Sequence, residues 1–223
     1  MYKIKKENLT ALFRAIAAEQ ELYVPVKSAG KVNFGPWSED AEVDIDTLKS
    51  VKSPKDVFFP QSENLYTCER EGRKLKVEPE ALKEQKFTVF GMRACDVQGV
   101  KVLDQVFLAD PVDSFYAARR EHGTMVAIAC HEPEESCFCK VFGIDCAEPA
   151  ADVAAWFAGE ELYWKALTEK GQTLTEILSG LLTDADAEDE KKLSEEQTAI
   201  RAIVEKLPYS HLSLEGWDGN ATE

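Results

Sequence analysis

Three observations predict an α/β protein: a mixed sheet with a central parallel βαβ unit, flanking helices and peripheral hairpins. An apolar run at residues 87–91 is followed by a segment of helical spacing, then by a second apolar run at 125–129. Strand, helix, strand in that order calls for a right-handed crossover between two parallel strands. Third, four of the six cysteines, Cys95, Cys130, Cys137 and Cys139, fall around the ends of those runs. Parallel strands share one carboxyl edge, and that edge is where open α/β sheets hold ligands. Cys95 follows the first strand and Cys130 the second, and the loop after Cys130 can bring Cys137 and Cys139 back to the same edge. In an extended Cys-x-Cys both thiols also point to one side. Four thiols can therefore meet at one point, which is what a metal centre needs.

Length and composition set the frame. The chain has 223 residues, 44% hydrophobic and 30% charged, enough for one large domain. The expected division is a single α/β domain over 1–207 and a tail over 208–223. A formal net charge of -15 excludes the basic footprint that nucleic-acid binding needs. It leaves open plain solubility or a basic face on a partner. Residues 1–6 are charged and lead into an amphipathic helix, which is no secretory signal. No apolar run reaches the length of a membrane span. A cytoplasmic protein is expected, and there a cysteine cluster points to metal binding or catalysis rather than to a disulfide framework.

In chain order, Asn8 can cap a helix over 9–19 that buries Leu9, Leu12, Phe13 and Ile16. Residues 22–26 read as a strand, placed at an edge by Pro25, with 31–34 as hairpin partner and a break at Gly35-Pro36. Residues 44–49 form a short helix or turn. Phe58 and Phe59 lie in a proline-rich loop and read as packing groups rather than a cofactor cover. Residues 65–68 and 74–77 flank a glycine turn as a hairpin; Cys68, within it, reads as a small hydrophobe. Residues 80–84 form a short helix. Beyond Cys95-Asp96, Val100, Leu103, Val106 and Phe107 have helical spacing, ended by Pro111. Asp113 or Ser114 starts a second helix, stopped by Gly123. Arg119-Arg120 is either a solvated pair or faces thiolate charge. Later, 152–157 reads as a strand and 162–168 with 172–175 as a hairpin around Gly171. Residues 177–182 read as a short helix and 184–192 as a solvated linker or helix start. Ser194 caps a helix to residue 206, and the tail carries His211 and Trp217.

Zinc and iron–sulfur clusters both take sets of four cysteines. Cys137-x-Cys139 is one tight pair where structural zinc sites show two, and no Cys-x-x-Cys repeat marks a ferredoxin. The spacing says metal more clearly than it says which metal. Two other readings stay open: buried inert thiols, and a thiol enzyme centred on Cys130, with His131 beside it in sequence. The chain has no Gly-x-Gly-x-x-Gly and no phosphate loop.

The set Arg93-Ala94-Cys95-Asp96-Val97-Gln98-Gly99, Leu103-Asp104, Arg119-Arg120, Ala129-Cys130 and Cys137-Phe138-Cys139 resembles the beta subunit of sulfhydrogenases and the iron–sulfur electron-transfer subunit of anaerobic sulfite reductase. The resemblance extends to residues 22–26 and 54–60 and covers most of 1–145. It implies an electron-transfer subunit of a soluble oxidoreductase. Such a subunit passes electrons between a flavin- and NAD(P)-binding reductase partner and a catalytic partner, which is a hydrogenase or a sulfur or sulfite reductase. The family carries two [4Fe-4S] clusters in a C-terminal ferredoxin-like segment; this chain stops at Glu223, where the first of those cysteines is expected. The resemblance implies an additional [4Fe-4S] cluster on Cys95, Cys130, Cys137 and Cys139, with zinc as the alternative, and leaves out Cys68 and Cys146. Backbone N–H groups at the start of the Cys-Asp-x-x-Gly helix are expected to face cluster sulfur. Gly99 would allow a close approach, and Asp96 would cap the helix.

Overall fold

The computed structural model describes residues 1–214; residues 215–223 of the expected tail, Trp217 among them, lie outside the described residues. Ten strands and six α-helices follow in order: β1 (Tyr2–Lys5), α1 (Leu9–Glu19), β2 (Glu21–Ser28), β3 (Lys31–Pro36), α2 (Lys55–Phe58), β4 (Tyr66–Glu71), β5 (Lys74–Pro79), β6 (Phe87–Met92), α3 (Ala94–Phe107), α4 (Ser114–His122), β7 (Gly123–Ile128), β8 (Val153–Ala158), β9 (Glu161–Ala166), α5 (Glu169–Ile177), β10 (Thr183–Asp184) and α6 (Ala187–Val204). Eight strands form one mixed sheet in the order β10-β1-β9-β8-β7-β6-β2-β3, and β4 and β5 pair on their own. The predicted mixed α/β class and its central unit are present: β2, β6, β7 and β8 run parallel, with β6-α3-α4-β7 as the crossover.

Strands β6 and β7 are buried along their whole length, as strands covered on both faces must be. Their side chains alternate between two cores. Phe90, Val126 and Ile128 join α1 and α5 residues on one side. Phe87, Val89, Met125 and Ala127 join Val97, Val100 and Tyr116 on the other. A bulge at Gly91 interrupts the β6–β7 register. Its φ of +96° suits glycine, and a Cβ there would stand 3.1 Å from the Pro25 ring.

Several expectations are corrected. β2 is an inner strand, not an edge. Pro25 is tolerated because pairing with β6 stops at Tyr23, so no β6 carbonyl waits for the N–H that proline lacks. Beyond that point residues 42–44 take over the strand's free side: the Pro25 carbonyl accepts from Asp44 N at 2.9 Å and Lys27 N donates to Glu42 O at 2.8 Å. β3 runs on through Gly35-Pro36. Asn8 makes no side-chain cap, because it ends a 3-10 turn in near-helical geometry. Residues 80–84 are not helical. Val106 is 61% exposed, and Cys68 is exposed on a hairpin open on both faces. The hairpin expected around Gly171 is instead helix α5, capped by the Thr168 hydroxyl accepting from Gly171 N at 3.3 Å. The real hairpin joins β8 to β9. Residues 178–181 form turns rather than a helix. Helix α6 is capped by Asp186, which accepts from Glu188 N and Asp189 N while Asp189 accepts from Asp186 N; Ser194 lies inside the helix.

Candidate metal centre

The site lies where β6 and β7 end. Three residues past Met92, Cys95 opens α3; two past Ile128 comes Cys130. The start of α3 is fixed by Asp96, whose carboxylate accepts from Arg93 N at 3.1 Å and from the Ser53 hydroxyl at 2.9 Å. This is the capping role. The N–H groups of Asp96 and Val97 both go to the Arg93 carbonyl, at 2.9 and 3.1 Å. The Asp96 N–H also acts on the Cys95 sulfur and favours its thiolate, against the larger opposing effects at that thiol. Gly99 lies against Lys55: a Cβ would stand 2.9 Å from its Cδ. The close approach that Gly99 allows is that of a lysine stem.

The loop between β7 and β8 carries three more cysteines besides Cys130. Cys137 N donates to Glu134 O at 2.8 Å; Cys139 opens a 3-10 turn, Cys139–Phe142, closed by Gly143 at φ +65°. The Cys-x-Cys pair is thus bent, not extended. Cys130 N donates to Cys146 O at 3.0 Å, which folds the loop back on itself. Cys130 and Cys146 are buried with Ala94, Ala147 and Ile200, and Cys139 packs against them. Helix α6 clasps the loop. Arg201 grips Asp145 at 2.6 and 3.0 Å, Lys140 pairs with Glu205, and Ile200 and Val204 close the apolar floor.

All six cysteines are free thiols. Two hydrogen-bonded thiol pairs form: Cys95 with Cys139, and Cys130 with Cys146. In the first, the bond to Cys139 and then burial push the Cys95 thiol up, while the same bond pulls Cys139 down. In the second, the bond to Cys146 and burial push Cys130 up, and Cys146 is lowered. The pairs also feel one another electrostatically, and Cys139 feels Cys137. Lys49 sits at the mouth, 2.7 Å from Glu134 and 2.6 Å from Ser136, and the charges of Cys137 and Cys95 help raise its pKa after Glu134. Five sulfur atoms therefore share one neighbourhood. Among the described residues no three His, Cys, Asp or Glu side chains stand in ready metal-holding geometry. The donor chemistry nonetheless fits a thiolate-ligated centre, four soft sulfurs being what zinc and iron–sulfur clusters take.

Cys146 escapes a reading of the sequence, where it is separated from the tight pair and preceded by no motif. Its signal is tertiary: the Cys130 N–H bond and the buried floor. Other expectations are settled by partners. Arg119 is buried and paired with Glu63, and Arg120 holds Asp104 at 2.9 and 3.0 Å, so the two form neither a solvated pair nor a countercharge to thiolates. The His131 ring reaches Glu196 at 2.8 Å, not Cys130. A buried Cys130 with a raised pKa, lacking its histidine, is a poor nucleophile. Phe58 and Phe59 pack, on Phe87 at 5.4 Å and Phe107 at 4.2 Å.

The chain is similar to Sulfhydrogenase 2 subunit beta of Pyrococcus furiosus, 28% identical over 151 residues. The match covers 68% of this chain and 43% of that protein, so the chain spans less than half the length of the relative. No family model and no solved structure matches it. Among the described residues no helix is long and apolar enough to cross a membrane.

Proposed function

We propose that this chain is an electron-transfer subunit of a cytoplasmic, multi-subunit oxidoreductase of the hydrogenase, sulfur reductase or sulfite reductase type. It would relay electrons through one [4Fe-4S] cluster between a flavin/NAD(P)-binding partner and a catalytic partner. The feature that supports this reading is the electrostatic coupling among Cys95, Cys130, Cys139 and Cys146, and of Cys137 to Cys139, in the segments that follow β6 and β7. Similarity to a sulfhydrogenase beta subunit supports it independently. Cys95, Cys130, Cys137 and Cys139 would be the ligands, with Cys146 as the spare thiol beside them.

When bound, such a centre supplies one-electron exchange. The chain's own residues do the rest. Asp96 and Ser53 fix the helix that presents Cys95. The α6 clasp through Arg201 and Lys140 holds the loop that presents the other thiols. Ala94, Ala147 and Ile200 exclude water from the inner side, and Lys49 offers positive charge on the outer side.

Iron and acid-labile sulfide analysis of anaerobically purified protein tests this. About four of each per chain is expected, with a broad visible band. A colourless protein holding zinc would support the alternative of a docking module stabilised by that ion. Intact, titratable thiols with neither metal would remove both readings.

A further inference from the structure

Arg93 is a buried charge with no opposite charge to meet. Two other buried charges have ion-pair partners, Arg119 with Glu63 and Asp189 with Lys3, while buried Asp152 is met only by the neutral donors Met125 N at 2.8 Å and the Thr168 hydroxyl at 2.7 Å. Arg93 is only 8% exposed, and its guanidinium donates only to carbonyl oxygens: Ile45 at 2.9 Å, Thr47 at 3.1 Å and Ala129 at 3.3 Å. Among the described residues no carboxylate lies within 4.0 Å of it. Asp46, Glu132, Glu134 and Glu196 line the same cavity, but Glu134 is taken by Lys49 and Glu196 by His131. Burying an unpaired cation costs several kcal/mol. A fold that fixes one with bonds from two separate segments has placed it where negative charge is to come. That place is the rim: Arg93 precedes Cys95 by two residues, and Ala129, whose carbonyl holds it, precedes Cys130.

We propose that Arg93 is the built-in countercharge of the thiolate set and the positioning residue that sets the reduction potential of the centre those thiolates hold. This rests on the electron-transfer reading above. Reduction adds one electron and no proton to the centre, so a fixed cation beside the ligands stabilises the reduced form more than the oxidised one.

The test uses the cluster-loaded full chain, its Arg93→Gln and Arg93→Lys variants, iron analysis, and a dithionite redox titration followed by electron paramagnetic resonance. Gln removes the charge; Lys keeps the charge but loses the fork that reaches three carbonyls. Arg93→Gln is expected to be harder to reduce, with at least about a tenfold shift in the oxidised-to-reduced ratio at fixed potential, about 59 mV for one electron. Arg93→Lys is expected to stay near wild type. If Gln fails to hold iron and Lys holds it at the wild-type potential, charge is again the cause. Wild-type potential in Arg93→Gln, or equal damage in both variants, would overturn the inference and leave the electron-transfer reading standing. A wild-type protein without iron removes that reading first, before any variant is compared.

Discussion

Asp189 anchors the start of α6 and one end of the sheet at once. Its carboxylate accepts from Lys3 at 2.6 Å, from Asp186 N at 3.0 Å and from the Tyr163 hydroxyl at 2.9 Å. The Lys3 bond foremost, then the Asp186 backbone, hold its pKa down to about 2, against about 3.9 for an unfolded chain. A depressed carboxyl contributes stability above the unfolded value and loses it as pH falls through the folded one. Urea titrations should show wild-type stability falling from about pH 4 toward about pH 2, with a flatter profile for Asp189→Asn. Parallel profiles would show that the Lys3 contact does not carry the effect. At the rim, serine at Cys95, Cys130 or Cys139 should remove most of the iron, and Cys68→Ser none. Cys137→Ser is expected to lose iron and Cys146→Ser to retain it; the reverse pattern in iron analysis would move the fourth ligand to Cys146. Cys95 and Cys130 are legible in the sequence because strand ends announce themselves in apolar runs. Cys146 is not, because nothing local marks a thiol whose partner is 16 residues back across a loop.

Among the elements, one segment is misread and another is decided between two readings. Gly171 follows two charged residues and reads as a turn, but it is a packing glycine: a Cβ there would stand 2.1 Å from the Asp152 carbonyl oxygen. α5 lies that close to the start of β8. Gly171→Ala should cost on the order of 1–3 kcal/mol in chemical denaturation, and a neutral result would mean that the helix can lift off the strand cheaply. The acidic run before Ser194 reads as a linker or a helix start, and it is the helix start: Glu188, Asp189 and Glu190 sit in the first turn of α6, where the helix dipole favours them. Asp96→Ala, removing half of a capping arrangement, should cost about 1 kcal/mol. Its circular dichroism should stay native, since α3 remains packed through Val97 and Val100.

Across the whole molecule, stability and function are divided unequally. Every residue of β4 and β5 is exposed, and a lone two-stranded hairpin adds little. Replacing residues 66–79 with a short glycine linker should change unfolding free energy by no more than about 0.5 kcal/mol; a larger loss would show that the hairpin supports the body. α6 is the opposite case, since its Arg201 and Ile200, with Glu205 just past its end, close the cysteine loop from more than 50 residues away in sequence. Local signals were enough to specify the mixed α/β class, the parallel β6–β7 pair and the rim where Cys95 and Cys130 stand, because apolar runs, breakers and caps are written in neighbouring residues. It took the folded chain to bring Cys146 to them, to bury Arg93 without a counterion, and to lay α6 over the loop. Those facts depend on which surfaces meet after collapse, and no window of adjacent residues records that.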